Sequence, residues 1–405
     1  MSSIYTGVSG MQAYQQAVQV VANNVANLNT VAFKAGRITF EETLTQRLFG
    51  GSEAGTNPME IGKGVTIASI DKLMGQGNMQ QTGRSLDLAI AGDTFFVVNN
   101  PVNNSVHYTR NGSFQLDANN RLVMSSNGMS VVGWQADPYT GLVDVTAAPG
   151  VLHIPLGSVT AIQTTKASID GNLNASAAIG DMTNASIMVY DSQGTGHQID
   201  VEFEKTDAGE WTWTATSPDA DSGTTPGSGT LTFDENGVLT SGTGTISLDF
   251  TPAGGATSPL TLTMDFSAIT QLDGTSTVQP LSQDGAPMGS LQNIFVSSDG
   301  LINGTFTNGA TKVLGQLATA RFANIAGLSD EGNGLWNTTL NSGTAIIQSA
   351  QDGNSIIRSG FLEMSNVDLT NEFANLIVFQ RGFQANSRSI TTSDEMMQDV
   401  LQLKR

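Results

Sequence analysis

The sequence predicts an α+β fold, mainly β by residue count, in which terminal α-helices pair as a coiled coil and nested β-rich domains lie between them. An apolar repeat of roughly 3.5 residues at each end of the chain predicts the two helices. Short runs of alternating apolar and polar residues, separated by turn-forming residues, predict strands through the middle of the chain. The β domains are therefore expected to be insertions between two helices that meet.

The N-terminal helix is predicted from spacing and from an absence of charge. Ser2 or Ser3 can cap it, and no charged residue precedes Lys34. Burying an unpaired charge is costly, so an uncharged helix is suited to burial on most sides. Its apolar stripe advances in steps of three and four residues: Ile4, Val8, Met11, Tyr14, Val18, Val21, Val25 and Leu28.

The C-terminal helix is predicted from a seven-residue repeat. Asp368 is expected at its N-cap, with Glu372 in the first turn. The apolar repeat consists of Leu369, Leu376, Phe383, Ile390 and Met397. A polar stripe runs beside the repeat: Gln380, Gln384, Ser387, Thr391, Asp394 and Gln398. In a lone chain both apolar stripes would face water, so we expect them to pack between subunits; the alternative is a pair of ordinary surface helices.

The charge of the chain is concentrated in one segment. Of the net charge of −19, residues 151–285 carry −14, from 16 acidic residues against Lys166 and Lys205. An acidic block repels phosphate backbones, which argues against nucleic-acid binding and favours a solvated outer face. The chain has no cysteine, no apolar run near the roughly 20 residues of a membrane span, and none of the features of a cleaved signal peptide.

The sequence contains no recognisable catalytic, cofactor-binding or metal-binding motif. Glycine-rich phosphate loops and the nucleophile elbow are missing. The three histidines, at 107, 153 and 197, lack a second histidine at metal-ligand spacing. Asp219 and Asp221 faintly resemble a calcium loop whose twelfth-position glutamate is absent. We therefore expect a protein that is not an enzyme and that has no cofactor.

Several motifs resemble those of the bacterial flagellar axial proteins, the family of rod, hook and hook-associated subunits. "ANNVANLNTVAFKAGRITF" (22–40) resembles the N-terminal signature of the family, and residues 362–403 resemble its C-terminal signature. Residues 83–98, 108–123 and 314–336 look like the shared inner β domain.

The middle of the chain indicates which members of this family the chain resembles most. "VYDSQGTGHQIDVEFEKTDAGEWTW" (189–213) and "LTFDENGVL" (231–239) are similar to the outer domain of the hook members, which the rod members lack. The predicted domains are a terminal helical domain (1–30 and 365–405), a connecting segment with an extended loop (31–70), an inner β domain (71–148 and 286–364) and an outer acidic β domain (149–285).

The resemblance implies a helical homopolymer, the hook, which acts as a flexible universal joint between rod and filament. It also implies an extracellular subunit exported without a cleaved signal through the flagellar type III export apparatus. Partners implied are the hook cap protein, the distal rod protein and the first hook–filament junction protein. Because C-terminal helices line the channel in this family, the resemblance assigns the lining to Gln380, Gln384, Ser387, Thr391 and Gln398.

Three amides of the N-terminal helix, Asn23, Asn24 and Asn27, can form hydrogen bonds between subunits without the cost of a buried charge.

Two other functions stay open for the chain. A rod or hook-associated subunit would lack an independent domain at 151–285. A secreted β-sheet adhesin or binding module would be a monomer with ordered ends. The segment between Phe40 and Val65 is longer than in the shortest hook proteins. A longer segment here could wedge between neighbouring subunits and stiffen the joint.

Overall fold

A computed structural model describes the chain at residues 2–49, 59–138, 140–157, 159–221, 225–241, 243–252 and 254–403. The chain forms two compact units. The first unit comprises Met1–Ile154, Phe295–Asn303 and Val313–Arg405. The second unit comprises Pro155–Ile294 and Gly304–Lys312. The second unit is therefore inserted twice into the sequence of the first.

The described residues of the first unit include two α-helices, α1 (Ser2–Ala26) and α2 (Leu369–Leu403), which pack antiparallel. A Cβ atom on Gly7 would contact Ile390 near the end of α2, whereas Asn24 bonds to Glu372 at its start. The N-cap prediction for α2 is confirmed, since the Thr370 N–H donates to Asp368 Oδ1 at 2.8 Å. The predicted fold class, two terminal helices around a mainly β chain, is confirmed.

Within the described residues, the remaining elements before the second unit are twelve strands, which are short because turn residues interrupt them. They are β1 (Gly36–Glu42), β2 (Thr45–Phe49), β3 (Met59–Gly62), β4 (Val65–Lys72), β5 (Met79–Gln81), β6 (Leu88–Ala91), β7 (Phe95–Asn99), β8 (Val106–Thr109), β9 (Phe114–Leu116), β10 (Leu122–Met124), β11 (Ser130–Gln135) and β12 (Gly150–Val151).

The second unit contributes the next ten strands. They are β13 (Val159–Ile162), β14 (Lys166–Asn174), β15 (Met182–Tyr190), β16 (Gly196–Asp207), β17 (Glu210–Thr216), β18 (Gly227–Phe233), β19 (Leu239–Ser241), β20 (Thr243–Leu248), β21 (Leu260–Leu272) and β22 (Gln279–Gln283). Three strands have residues in both units: β23 (Ala286–Val296), β24 (Leu301–Phe306) and β25 (Thr311–Leu317).

The chain then returns to the first unit through β26 (Thr319–Arg321), the 3₁₀ turn Ile325–Gly327, β27 (Ser329–Gly332), β28 (Leu335–Asn337), β29 (Ile346–Gln348), β30 (Ile356–Ser359) and β31 (Phe361–Glu363). The principal sheet of this unit has the order β25–β11–β7–β8–β28–β27. The unit also contains two-stranded antiparallel pairs: β1 with β4, which packs on α1, then β2 with β3, β30 with β6, and β31 with β5.

The core of the second unit lies between two sheets, ordered β20–β21–β14–β22 and β15–β16–β17–β18–β19. Along β16 the predicted alternation is confirmed, because Ile199, Val201 and Phe203 are fully buried while Glu202 is exposed. A chain that alternates in this way buries one face of each sheet and solvates the other. Most acidic residues of the unit are exposed, on strands or in turns, whereas Asp191 is 2% exposed.

Candidate assembly surface and helix junction

Small residues form the contact between the two helices. The most buried positions of α1 are Gly7, Gly10, Ala13, Ala17, Val21 and Asn24. A Cβ atom on Gly10 would lie 2.8 Å from the Asn386 side chain, and one on Gly382 would lie 2.7 Å from the Tyr14 ring. Such distances are too short for a real Cβ, so these glycines make room for the Asn386 and Tyr14 side chains between the two helices.

The apolar residues predicted to pack between subunits lie beside this contact. On α1, Val21 is buried, and the others keep part of their surface exposed: Ile4, Val8, Met11, Val18 and Val25. Leu28, predicted on the same helical stripe, is also partly exposed but lies in the turn after α1, which ends at Ala26. On α2, three are partly buried and two are exposed: Leu369, Leu376 and Ile390, then Phe383 and Met397. The single chain therefore leaves apolar surface available on both helices, and their packing between subunits stays a prediction.

The glycine and alanine positions of α1 were missed at the sequence level. Their spacing of three or four residues, from Gly7 to Ala17, was the available signal. Glycine and alanine contribute little to an apolar pattern. The predicted stripe was therefore drawn through the larger residues beside them, such as Val8, Met11 and Val18.

The predicted channel-lining stripe lies on the solvent side of α2. Four of its residues are exposed and Ser387 is partly buried; the four are Gln380, Gln384, Thr391 and Gln398. At the start of the helix the surface is apolar instead, with Phe373 and Ile377 each 51% exposed, so the predicted lining begins only at Gln380. The lining role stays a prediction.

The three predicted amide contacts differ in their surroundings. Asn24 is 1% exposed, and its hydrogen bonds lie within the chain. Its Nδ2 donates to Gly36 O at 2.8 Å and to Glu372 Oε1 at 3.1 Å, while its Oδ1 accepts from Gly36 N at 2.8 Å. Asn27 Nδ2 donates to Asn23 Oδ1 at 3.0 Å, near the end of α1. Asn24 thus joins α1, β1 and α2, whereas Asn23 and Asn27 lie closer to solvent.

The hairpin of β1 and β4 packs along α1 and forms one wall of a groove whose other wall is α2. Tyr14, Phe40 and Phe379 cross this groove, with ring centroids 5.6–6.2 Å apart. Tyr14 and Phe40 line a cavity of about 410 Å³ beside Gly10, and Phe379 lines one of about 440 Å³ near the start of α2. We call the second the root cavity; its lining includes Val20, Val21, Ile38, Leu73, Phe379 and Glu372.

A buried ion cluster lies at the junction between the helices and the β structure. Lys34 Nζ lies 2.5 Å from Glu363 Oε1, and Arg110 Nη1 lies 3.5 Å from Glu363 Oε2. The Gly77 N–H donates to Glu363 Oε1 at 2.9 Å. The Arg110 guanidinium lies 4.8 Å from the centre of the Phe95 ring, over its face. One carboxylate therefore joins the segment after α1, strand β31 and the segment after β8.

Burial dominates the electrostatics of this cluster. It lowers the pKa of Lys34, while the charge of Glu363 and its hydrogen bond act in the opposite direction. Burial likewise lowers the pKa of Arg110, against the attraction of Glu363 and Asp93. Two cations share one buried anion, so Glu363 is the residue on which both depend.

Asn366 and Glu372 complete the junction. Asn366 Oδ1 accepts from Ala35 N at 2.8 Å, and its Nδ2 donates to Leu73 O at 2.7 Å, which fixes the start of α2 against β1 and β4. Burial raises the pKa of Glu372; the hydrogen bond from Asn24 lowers it and the charge of Asp368 raises it.

No metal-type cluster of three or more His, Asp or Glu side chains occurs among the residues that the structure describes. Within that part of the chain, neither helix is long and apolar enough to cross a bilayer.

Four family descriptions match successive parts of the chain. Residues 4–34 match "Flagella basal body rod protein" and residues 358–403 match "Flagellar basal body rod FlgEFG protein C-terminal". Residues 89–175 match "Flagellar hook protein FlgE/F/G D1 domain" and residues 161–286 match "Flagellar basal body protein FlaE D2 domain". The matches follow the order of the helices and the β domains along the chain.

Full-length relatives agree with these matches. The flagellar hook protein FlgE of Treponema pallidum is 35% identical, with all of both chains covered. The flagellar hook protein FlgE of Salmonella typhimurium is 35% identical over 99% of this chain and 100% of its own. The crystal structure of Helicobacter pylori flagellar hook protein FlgE2 has a TM-score of 0.52 at 16% identity, covers 70% of this chain and all of its own, and so supports the fold. The chain therefore belongs to the flagellar hook protein family, whose members are structural components of the bacterial flagellum.

Proposed function

We propose that this chain polymerises with copies of itself into the helical tube of the flagellar hook, with α1 and α2 forming the inner wall. The observation that carries the proposal is the apolar surface left on both helices after they have packed on each other. Phe373, Ile377 and Val378 of α2 are each more than half exposed, as is Tyr5 of α1. Exposed apolar surface on α2 and on the uncharged helix α1 is suited to burial by neighbouring subunits.

The family relationship also suggests how the subunit is exported and which proteins it meets at the ends of the tube. We propose that the subunit leaves the cell through the flagellar type III export apparatus without signal cleavage. At the ends of the tube its neighbours would be the distal rod protein and the first hook–filament junction protein, and a hook cap protein would cover the growing tip. The family relationship supports these assignments. They call for a structural subunit without enzymatic activity.

Electron microscopy of the purified chain under polymerising conditions tests the proposal. Curved tubes are expected. Straight tubes would favour a rod subunit, and a monodisperse monomer under all conditions would favour a secreted binding module.

We further propose that charge keeps the outer layer of the tube loose enough to bend. Asp200, Glu202 and Glu204 lie on the solvated side of β16, where weak, screened contacts permit neighbouring subunits to slide. Neutralising them as D200N, E202Q and E204Q together is expected to weaken the dependence of tube curvature on salt, measured by electron microscopy across ionic strengths. If the variant tubes had the same curvature as the parent tubes at every salt concentration, this role of charge would be contradicted.

A further inference from the structure

The root cavity holds a carboxylate that lacks a counter-ion. Glu372 accepts one hydrogen bond from Asn24, at 3.1 Å, and lies near the like charge of Asp368. Arg37 also lines the cavity, but its carboxylate partner is Asp71, at 3.5 Å. Among the residues described by the structure, neither a lysine nor an arginine forms an ion pair with Glu372. A half-buried carboxylate without a cation is unfavourable, so the site lacks one component.

The walls of the cavity indicate the kind of side chain that would supply the missing cation. Apart from Glu372, they combine polar side chains, among them Asn366, Asn371 and Asn375, with an apolar part made of Val20, Val21, Ile38, Leu73 and Phe379. A cationic group that enters there has its stem in apolar surroundings and its charge at the carboxylate. Arginine has this form, because its methylene stem packs on apolar surface and its planar guanidinium pairs with a carboxylate through two hydrogen bonds.

The same helix presents such an arginine on its opposite side. Arg381 follows Glu372 by nine residues, which is about 2.5 helical turns, so the two side chains leave α2 in opposite directions. Arg381 is exposed, and no carboxylate in the described part of the chain forms an ion pair with it. Its neighbours Ile377 and Val378 are 51% and 61% exposed. This apolar and cationic patch complements the lining of the root cavity.

We propose that the root cavity of one copy receives Arg381 of a second copy, whose guanidinium pairs with Glu372 while Ile377 and Val378 cover the apolar wall. Each copy carries the cavity on one side of α2 and the arginine on the other. Such a contact is heterologous and propagates from copy to copy, as a helical polymer requires. The inference rests on the proposed polymerisation and names one contact within it.

Arg388 is the other arginine of α2 within the described residues, and it lies one heptad after Arg381 on the same side. Its neighbours on the helix surface are polar: Gln384, Thr391 and Thr392. A polar patch does not match the apolar wall of the root cavity. Arg388 therefore supplies a matched control for Arg381, with the same charge, helix and exposure.

Two charge reversals that complement each other test the contact in the full-length chain. R381E and E372R each place like charges at every contact, so each variant alone is expected to raise the critical concentration for polymerisation by about thirtyfold or more. In an equimolar mixture, alternating copies bring opposite charges together again, and polymerisation is expected to return. R388E is expected to polymerise as the parent does. Pelleting assays and electron microscopy measure all four samples.

The outcomes separate this inference from the proposed function. A parent chain that never polymerises contradicts the proposed function itself. If the parent polymerises and R381E polymerises equally well, the proposed contact is wrong. It is also wrong if the equimolar mixture of R381E and E372R stays soluble. E372Q guards against a simple folding defect, because it keeps the acceptor for Asn24. R381Q, E372Q and their double variant should weaken assembly to the same degree, whereas additive effects would show that the two residues act independently.

Discussion

At the scale of single residues, Glu363 has the largest expected effect on stability. The glutamate is fully buried and holds two cations, Lys34 and Arg110, that are themselves buried. E363Q would leave Lys34 without an anion and Arg110 with only the attraction of Asp93, so we expect it to destabilise the first unit by about 3–5 kcal/mol. Differential scanning calorimetry measures this loss as a lower unfolding temperature for the first unit.

The control for this prediction is E395Q, which alters an exposed glutamate of α2 and should leave the transition in place. The transition of the second unit should also be unchanged in E363Q. A first unit that melts at the parental temperature in E363Q would mean that the buried cations are satisfied without Glu363.

Glu372 gives a second prediction at this scale, based on pH. Its pKa is raised in the folded chain, so folding binds its proton more tightly. Its contribution to stability is therefore present below the ordinary value of 4.5 and is lost as the pH rises through the raised value. E372Q should accordingly give more helical circular dichroism than the parent in the isolated chain at pH 7, and the difference should vanish in acid. A constant difference at every pH would be the contrary result.

At the scale of secondary-structure elements, the close approach of α1 and α2 depends on glycine. Replacing an interior helical glycine by alanine normally stabilises a helix by about 1 kcal/mol. G10A should instead lower the helical signal of the isolated chain, because the new methyl group would push the Asn386 amide away from Gly382 O, to which its Nδ2 donates at 2.9 Å. Removing that side chain as well, in G10A with N386A, should restore the signal.

N386A alone is the control for this pair, since it shows the cost of losing the Asn386 amide. Circular dichroism at 222 nm measures all three variants as a double-mutant cycle. If G10A increased the helical signal, the two helices would not pack as closely as the structure indicates.

The elements also show which features a sequence can reveal. The strand β16 was predictable because its period of two places charged and apolar residues on alternate sides. The small-residue contact of α1 was not, because glycine and alanine contribute little to apolar periodicity. The pairing of Lys34 with Glu363 joins residues 329 positions apart, and no local pattern records it. Asn24 was recognised as an unusual amide, but its partners Gly36 and Glu372 became known only from the structure.

At the scale of the whole molecule, the chain consists of two compact units with different surfaces. The first unit carries the helix pair, of which α1 is uncharged, and the second carries most of the net negative charge. This division suits a tube in which apolar helix contacts hold subunits together while charged β surfaces remain hydrated. The central claim is that α1 and α2 complete their burial only against other copies of the chain.

Hydrogen exchange measured by mass spectrometry on the isolated chain and on assembled tubes tests this claim most directly. In the isolated chain, the backbone amides of α1 and α2 should exchange much faster than those of the β core. In tubes, the helical amides should become strongly protected, while the core of the second unit should change little. Equal protection of α1 and α2 in the isolated chain and in the tubes would contradict the account.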